Sequence, residues 1–332
     1  MQNRAILYNF QTGHWQKYVY NLPTLKNDET LVKVAYAGLC GSDMHRIINP
    51  SKHESEIVMG HEVSGIVVAS SNEKLVGKSV VVNPIGNCQK CFYCEHEQSQ
   101  FCSNSRNIGK NVNGAFADYV IAPTKNIYIT PADFPLELGV LADGVAVVLH
   151  SLQKLTFSPR SALIVGDGAM GCLFVAVLKA LYSDIKIVLK GRHNIDLIKK
   201  MYHIDNEVKD EEFDLSVETV GRAQSDTLND CIRQTVYGGS VLVTGVYPPD
   251  FTLSLDARTA FYKELKIYGI NSFCVSAERD DFAEALQLIE RHHNLFGSLI
   301  THYFSLDDFE KGVEKMSDKR NSPVVKVVYE PH

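Results

Sequence analysis

The chain has 332 residues, enough for two domains at about 150 residues each, or one large α/β unit, around a sizeable core. Hydrophobic residues make up 45% and charged residues 22%, the mean hydropathy is -0.09, and no stretch approaches the ~20 apolar residues of a membrane-spanning helix. A net charge of -6 without a dense Lys/Arg block argues against nucleic acid or a membrane surface as partner and favours a small molecule. Met1 to Phe10 lacks the apolar run of a secretory signal, so the expected location is cytoplasmic.

The first third reads as β-rich. Glu29 to Ala37, Ile57 to Ala69, Lys78 to Asn83 and Ala115 to Ile121 are short β-branched or alternating runs separated by Gly, Pro, Asn and Ser, which predicts a compact, partly closed β domain. Between the first two runs stands Cys40-Gly41-Ser42-Asp43-Met44-His45, and within the second Gly60-His61-Glu62. A thiolate and an imidazole from separate segments can bind a zinc that keeps one position open, but a third ligand is needed, and either residue alone is more often a packed side chain.

Cys88, Cys91, Cys94 and Cys102 follow in a polar stretch with Gly86, Asn87 and Lys90. Reducing conditions make disulfides a poor explanation, whereas a zinc with all four positions filled by thiolates can fold a lobe that has little core of its own, about residues 86–104. Cys172, Cys231 and Cys274 sit among apolar neighbours and read as packing residues.

From about Ser161 the texture changes to strand, Gly-rich turn, helix, strand. Ser161 to Val165 is a strand, Ala169 to Tyr182 a helix and Ile185 to Leu189 the next strand, with further strands at Phe213 to Glu218, Ser240 to Thr244 and Leu265 to Ile270. Gly166-Asp167-Gly168-Ala169-Met170-Gly171 is a G-x-G-x-x-G turn between strand and helix, the arrangement that brings backbone amides to a pyrophosphate. The acid that would grip the ribose 2′-hydroxyl is missing: the second strand ends Lys190-Gly191-Arg192-His193. A small residue and a guanidinium there suit a 2′-phosphate and imply NADP(H) over NAD(H), the alternative being that Lys190 and Arg192 decorate a solvated loop. After Asn271 come an amphipathic helix over about Ala277 to His292, a short strand, another helix and a strand at Val324 to Tyr329, read as returning to the first domain.

Together these pieces resemble the zinc-dependent medium-chain alcohol and polyol dehydrogenases, whose order of C-G-[ST]-D-x-H, G-H-E, a four-cysteine lobe and a Rossmann turn is matched over nearly the whole chain. The resemblance implies a GroES-like catalytic domain, residues 1–148 and 270–332, and a Rossmann doubly wound parallel-sheet domain, residues 149–269. It implies one catalytic and one structural zinc per chain. Cys40 and His61 look like catalytic zinc ligands, and Glu62 like the carboxylate beside the metal that exchanges with water. Relatives place the third ligand just before the domain crossover, where Asp143 is the only ionisable residue of Val140 to Val145, although Gly144 replaces a proline usual in polyol enzymes and Asp143 could instead cap the following helix. Ser42 resembles the hydroxyl that takes the substrate's proton and His45 the outer end of the relay, while Asp43 fits an orienting role behind a ligand imidazole.

Thr219, Val220 and Gly221, with Thr244, Gly245 and Val246, are similar to the family's adenosine and nicotinamide contacts. Residues 166–192 also look like the corresponding segment of ribitol-5-phosphate dehydrogenases, which use NADPH. The expected activity is hydride transfer between NADP(H) and a secondary alcohol or ketone of a polyol, sugar acid or sugar-alcohol phosphate, with a homodimer or homotetramer as the expected assembly. The alternatives are a small secondary-alcohol or threonine-type dehydrogenase and a non-catalytic NADPH-binding protein of the same fold. Lys52 and His53 read as solvated loop rather than as a phosphate site.

Overall fold

The computed structural model describes residues 1–50, 56–204, 212–318 and 323–331; Lys52 and His53 lie outside them. Near its centre is the strand Glu29–Leu39, which pairs antiparallel with Tyr119–Pro123, Glu62–Ser70 and Lys326–Glu330. Beyond Glu62–Ser70 the sheet continues through Ser79–Val82 to Ile127–Ile129, and beyond Lys326–Glu330 it ends at Ile300–Ser305, paired in parallel. The C-terminal segment therefore rejoins the first sheet. One face buries a core of Val32, Val34, Val63, Val67, Val80 and Val82, into which the helix Phe309–Ser317 inserts Phe309, Val313 and Met316.

The second sheet is entirely parallel, in the order Lys186–Lys190, Ser161–Val165, Phe213–Glu218, Thr235–Val243, Lys266–Gly269. Alternate residues of its strands feed different cores. Ala162, Ile164, Ile187, Leu189 and Val217 pack with the helix Ala169–Leu181, whereas Leu163, Val165, Val188 and Phe213 pack with the helix Asp226–Arg233. Helices on both faces make the sheet doubly wound, as the uninterrupted apolar strands predict. Among the described residues no helix is long and apolar enough to cross a membrane.

Two features differ from the sequence reading. Ile57 to Ala69 is two strands rather than one: Ile57–Val58 pairs with Gln2–Asn9, Glu62–Ser70 pairs with Glu29–Leu39, and Gly60, at a φ of +91° that favours glycine, turns the chain between them. The N-terminal hairpin of Gln2–Asn9 and His14–Asn21 carries no clear pattern because most of its second strand is exposed. Cys172, Cys231 and Cys274 are fully buried, as packing residues should be.

The helix Ala142–Leu152 packs against the helix Asp281–Arg291 through a buried polar knot. Asp281, with no exposed surface, accepts from Cys274 N–H at 2.7 Å and pairs with Arg279 Nε at 2.7 Å, and its Oδ2 lies 2.8 Å from His150 Nδ1. Burial alone would raise the Asp281 pKa, but the bonds to His150, Arg279 and Cys274 hold it below the ordinary carboxylate value. A depressed native pKa means the stabilisation is present above the unfolded value and is lost as pH falls through the native one. Asp281→Ala should cost about 3 kcal/mol at neutral pH, the cost of stranding the charged partner, and the gap between wild type and variant should shrink below about pH 4. Urea unfolding across that range tests it; a gap independent of pH would exclude an ionic origin.

Candidate active site

The central strand ends at Leu39, and the next residue, Cys40, starts the helix Gly41–Ile48. The sheet register sets Glu62 opposite Gly38 on one side and Val327 opposite Leu39 on the other, so His61 and Lys326 each lie one residue beyond, beside Cys40. Donor atoms of Cys40, His61 and Glu62 all lie within 4.8 Å of one another. Asp43, 1% exposed, accepts from Cys40 N–H at 3.1 Å through Oδ2 and sets Oδ1 3.3 Å from His61 Nδ1. This contact leaves His61 Nε2 to face the cluster, where Ser42 Oγ lies 3.4 Å away. Burial disfavours the charged imidazole, yet Asp43 and Cys40 raise its pKa well above the usual histidine value. His45 is half-buried and lies three residues beyond Ser42, on the same helix face.

Lys326 is a site residue the sequence reading overlooked. Its ammonium lies 2.7 Å from both oxygens of Glu62, and both side chains are nearly inaccessible. A lone lysine in the apolar run Val324-Val325-Lys326-Val327-Val328 is the sequence signal. Gly38 makes the space: a Cβ there would stand 2.2 Å from Glu62 Oε2.

Asp143 lies outside the 4.8 Å trio, in the first turn of the helix Ala142–Leu152. The helix N-cap is Leu141 and receives no side-chain bond, so Asp143 does not act as its cap. Burial pushes the Asp143 carboxyl up to about 6, the nearby His61 opposing this and Glu62 adding to it. Gly144, where a Cβ would come 2.5 Å from Leu173 Cδ1, lets this helix lie close against Ala169–Leu181.

The sulfurs of Cys88, Cys91, Cys94 and Cys102 also lie within 4.8 Å of one another, with Cys91 and Cys94 3.6 Å apart. Cys91 is drawn down to about 6, chiefly by the Cys94 backbone N–H, while burial and neighbouring thiols push Cys94 up to about 12. Such a set is suited to one cation shared by four sulfurs. The lobe is tied down where Val275 N–H donates to Ser99 Oγ at 3.0 Å and the Cys274 thiol to Glu97 O at 3.2 Å.

The glycine turn closes on itself: a Cβ at Gly171 would lie 1.8 Å from Gly166 O, while space around Gly168 is open. Ala169 and Met170 begin the helix, half-buried. Thr219 Oγ1 pins the turn by donating to Val165 O at 3.1 Å. Glu218, fully buried and also missed in the sequence, accepts from the Val220 and Gly221 N–H groups at 2.9 Å, from Thr227 Oγ1 at 2.8 Å and from Tyr247 Oη at 2.9 Å. Thr244 Oγ1 donates to Glu218 O at 3.1 Å, and a Cβ at Gly245 would lie 2.4 Å from Glu218 Oε2, so one acid arranges the strand-end residues from Thr219 to Gly245; Val246 beyond them is exposed. At the end of the second strand Lys190 pairs with Asp230, and the Gly191 and Arg192 turn follows with the Arg192 side chain exposed.

Removing one partner of the Lys326 and Glu62 pair strands a buried charge. Lys326→Met should destabilise the chain by about 3–5 kcal/mol, and Lys326→Met with Glu62→Gln by distinctly less. Denaturant unfolding of both variants measures this; equal losses would mean that packing, not charge, dominates.

The model of the alcohol dehydrogenase GroES-like domain matches residues 26–132, and that of the glucose dehydrogenase C-terminus matches residues 136–329. The chain is 28% identical to D-arabinitol dehydrogenase 1 of Uromyces fabae, over 90% of each chain. It is 26% identical to L-threonine 3-dehydrogenase of Protochlamydia amoebophila (strain UWE25), over 94% of this chain and 96% of the relative. In fold it is similar to L-idonate 5-dehydrogenase of Escherichia coli K-12, with a TM-score of 0.86 and 22% identity over 99% and 98% of the two chains. The chain belongs to the zinc-dependent medium-chain alcohol and polyol dehydrogenases, oxidoreductases that act on CH–OH donors.

Proposed function

We propose that the chain is an NADP(H)-preferring dehydrogenase that interconverts a secondary hydroxyl and a ketone on a polyol, a sugar acid or a sugar-alcohol phosphate, with zinc at two sites. The observation that carries this reading is the cluster of Cys40, His61 and Glu62 within 4.8 Å, with Ser42 Oγ 3.4 Å from His61 Nε2. A thiolate, an imidazole and carboxylates form a donor set that fits zinc with one open position, and the four cysteines form one that fits a closed site. Zinc at the open site would supply a Lewis acid that polarises the substrate oxygen.

Cys40, His61 and Asp143 are the ligands we assign to that site. Both Glu62 oxygens are already engaged by Lys326, whereas the Asp143 carboxylate has no hydrogen bond to a described residue. Ser42 Oγ accepts the proton of the substrate hydroxyl, and His45 carries it outward from the same helix face. Gly166, Gly168, Ala169, Met170 and Gly171 hold the pyrophosphate against the helix N-terminus, with Thr219, Val220, Thr244, Gly245 and Val246 flanking the rest of the dinucleotide. Gly191 and Arg192 receive the adenosine ribose, where an exposed guanidinium and the lack of an acid favour a 2′-phosphate.

Residues 1–148 and 270–332 are assigned to the catalytic domain and 149–269 to the dinucleotide-binding domain. Exposed Tyr237, Phe261 and Tyr262, near the terminal strand Lys266–Gly269 of the parallel sheet, support self-association as a dimer or tetramer.

Metal analysis of purified protein should give two zincs per chain. Asp143→Ala should lose one and keep the other, while Glu62→Gln should keep both. Full zinc in Asp143→Ala with loss in Glu62→Gln would transfer the ligand role to Glu62. Initial rates with NADP and with NAD, against free polyols, polyol phosphates, sugar acids, threonine and short secondary alcohols, test the activity. Turnover should be confined to a polyol or sugar-acid class and fall about 10²-fold or more in Ser42→Ala. Activity on threonine alone would overturn the substrate class, and silence across the panel with both zincs bound would overturn its breadth.

A further inference from the structure

A dinucleotide fold ordinarily ends its second strand in a carboxylate that accepts from the ribose 2′-hydroxyl and repels a 2′-phosphate. Here that strand ends Lys190-Gly191-Arg192-His193. A carboxylate nevertheless reaches this loop from the glycine turn. Asp167, 7% exposed, accepts through one oxygen, Oδ2, from the backbone N–H groups of Arg192 at 2.8 Å, His193 at 2.5 Å and Asn194 at 2.6 Å. Gly191 provides the space, since a Cβ there would lie 2.2 Å from Asp167 Cγ. Asn194 closes the link by donating from Nδ2 to Asp167 O at 2.7 Å.

Two consequences follow from this geometry. Three successive amides aimed at one point form a nest that can bind an anion, and here the protein's own carboxylate fills it, so a phosphate must be recognised by side chains instead. With Asp230 holding Lys190, those side chains are Arg192 and His193, both exposed, each fixed at its own N–H by Asp167. The carboxylate charge is spent on backbone dipoles, which leaves that oxygen unable to accept from a ribose hydroxyl.

We propose that Asp167 is a selectivity-determining positioning residue: by filling the amide nest of residues 192–194 it fixes the turn that presents Arg192 and His193 to the 2′-phosphate of NADP(H). The proposal rests on the NADP(H) preference given above. It predicts that the effect of Asp167 on cofactor choice runs through Arg192 and His193, so that it diminishes when Arg192 is removed.

The test is a double-mutant cycle on the full-length, zinc-loaded protein, with Kd for NADPH and for NADH measured by fluorescence titration in wild type, Asp167→Asn, Arg192→Ala and the double variant. Asp167→Asn should weaken NADPH about tenfold, the worth of one charge-assisted contact, and NADH less than about threefold. In the Arg192→Ala background the same change should alter the NADPH to NADH ratio distinctly less, His193 accounting for what remains. Gly191→Ala, which crowds Asp167 from the opposite side, should reproduce the loss if Asp167→Asn folds poorly. An equal loss of both cofactors in Asp167→Asn, or an undiminished effect on the ratio without Arg192, would overturn the proposal while leaving the NADP(H) preference standing. A wild type that binds NADH as well as NADPH would overturn both.

Discussion

The buried pair of Lys326 and Glu62 is the interaction on which the site depends, because it joins residues 264 positions apart across the end of the central strand. Taking an ammonium and a carboxylate out of water costs several kcal/mol per ion, and the mutual attraction offsets this only with close geometry. Two contacts of 2.7 Å to one ammonium provide that geometry, and Gly38 opposite Glu62 provides the room. The pair also supplies a positive charge among Cys40, Glu62 and Asp143, three groups that become anionic together only at high electrostatic cost. A register slip of one residue in either flanking strand would turn its partner to the other face of the sheet and part the pair. The ion pair therefore selects the register that sets Cys40 and His61 side by side.

A second pattern recurs around this centre. Asp43 accepts from Cys40 N–H, Asp167 from the three amides of residues 192–194, Glu218 from two amides beyond its strand, and Asp281 from Cys274 N–H. In each case a buried carboxylate reaches backbone donors that regular secondary structure leaves unpaired, and a loop becomes a fixed element without adding apolar mass. Loops at a binding site must stay open to ligand on one side, so hydrophobic packing can hold them only from the other. Short acidic side chains beneath them do the same work in less space. Asp43 shows the gain most directly, since one carboxylate fixes the start of a helix and the orientation of the His61 imidazole.

Much of this was legible in the residues. Uninterrupted apolar runs gave the parallel strands closely, with Ser161–Val165 and Phe213–Glu218 as read, and cysteine and glycine spacings singled out residues that the fold brings together in both donor clusters and the turn between Ser161–Val165 and Ala169–Leu181. Chemistry that depends on spacing along the chain is visible in sequence. The partners Lys326 and Glu62 were not, because sheet register brings them together and neither lies in a motif with the other. Asp167 occupies a variable position of its motif, and only the fold reveals that the loop 25 residues on turns its amides towards it. The strand His14–Asn21 escaped for the opposite reason: most of its side chains face water, so burial imposes no period on them.

These devices meet at the segment before Lys326. Asn194, buried in the turn after the strand Lys186–Lys190, donates from one amide nitrogen to Asp167 O at 2.7 Å and to Val324 O at 3.0 Å. Val324 lies two residues before Lys326, whose ammonium holds Glu62 beside Cys40 and His61. A short piece of chain thus bonds at one end to the turn that holds Asn194 and at the other to the cluster of Cys40, His61 and Glu62. Hydride transfer requires the reacting carbon and the nicotinamide to meet within a fraction of an ångström, and an error in either site's placement reduces the rate steeply. Only Val324 and Val325 separate the bond to Asn194 from the strand that begins at Lys326, so the position of the Asn194 turn and that of the ammonium are set together.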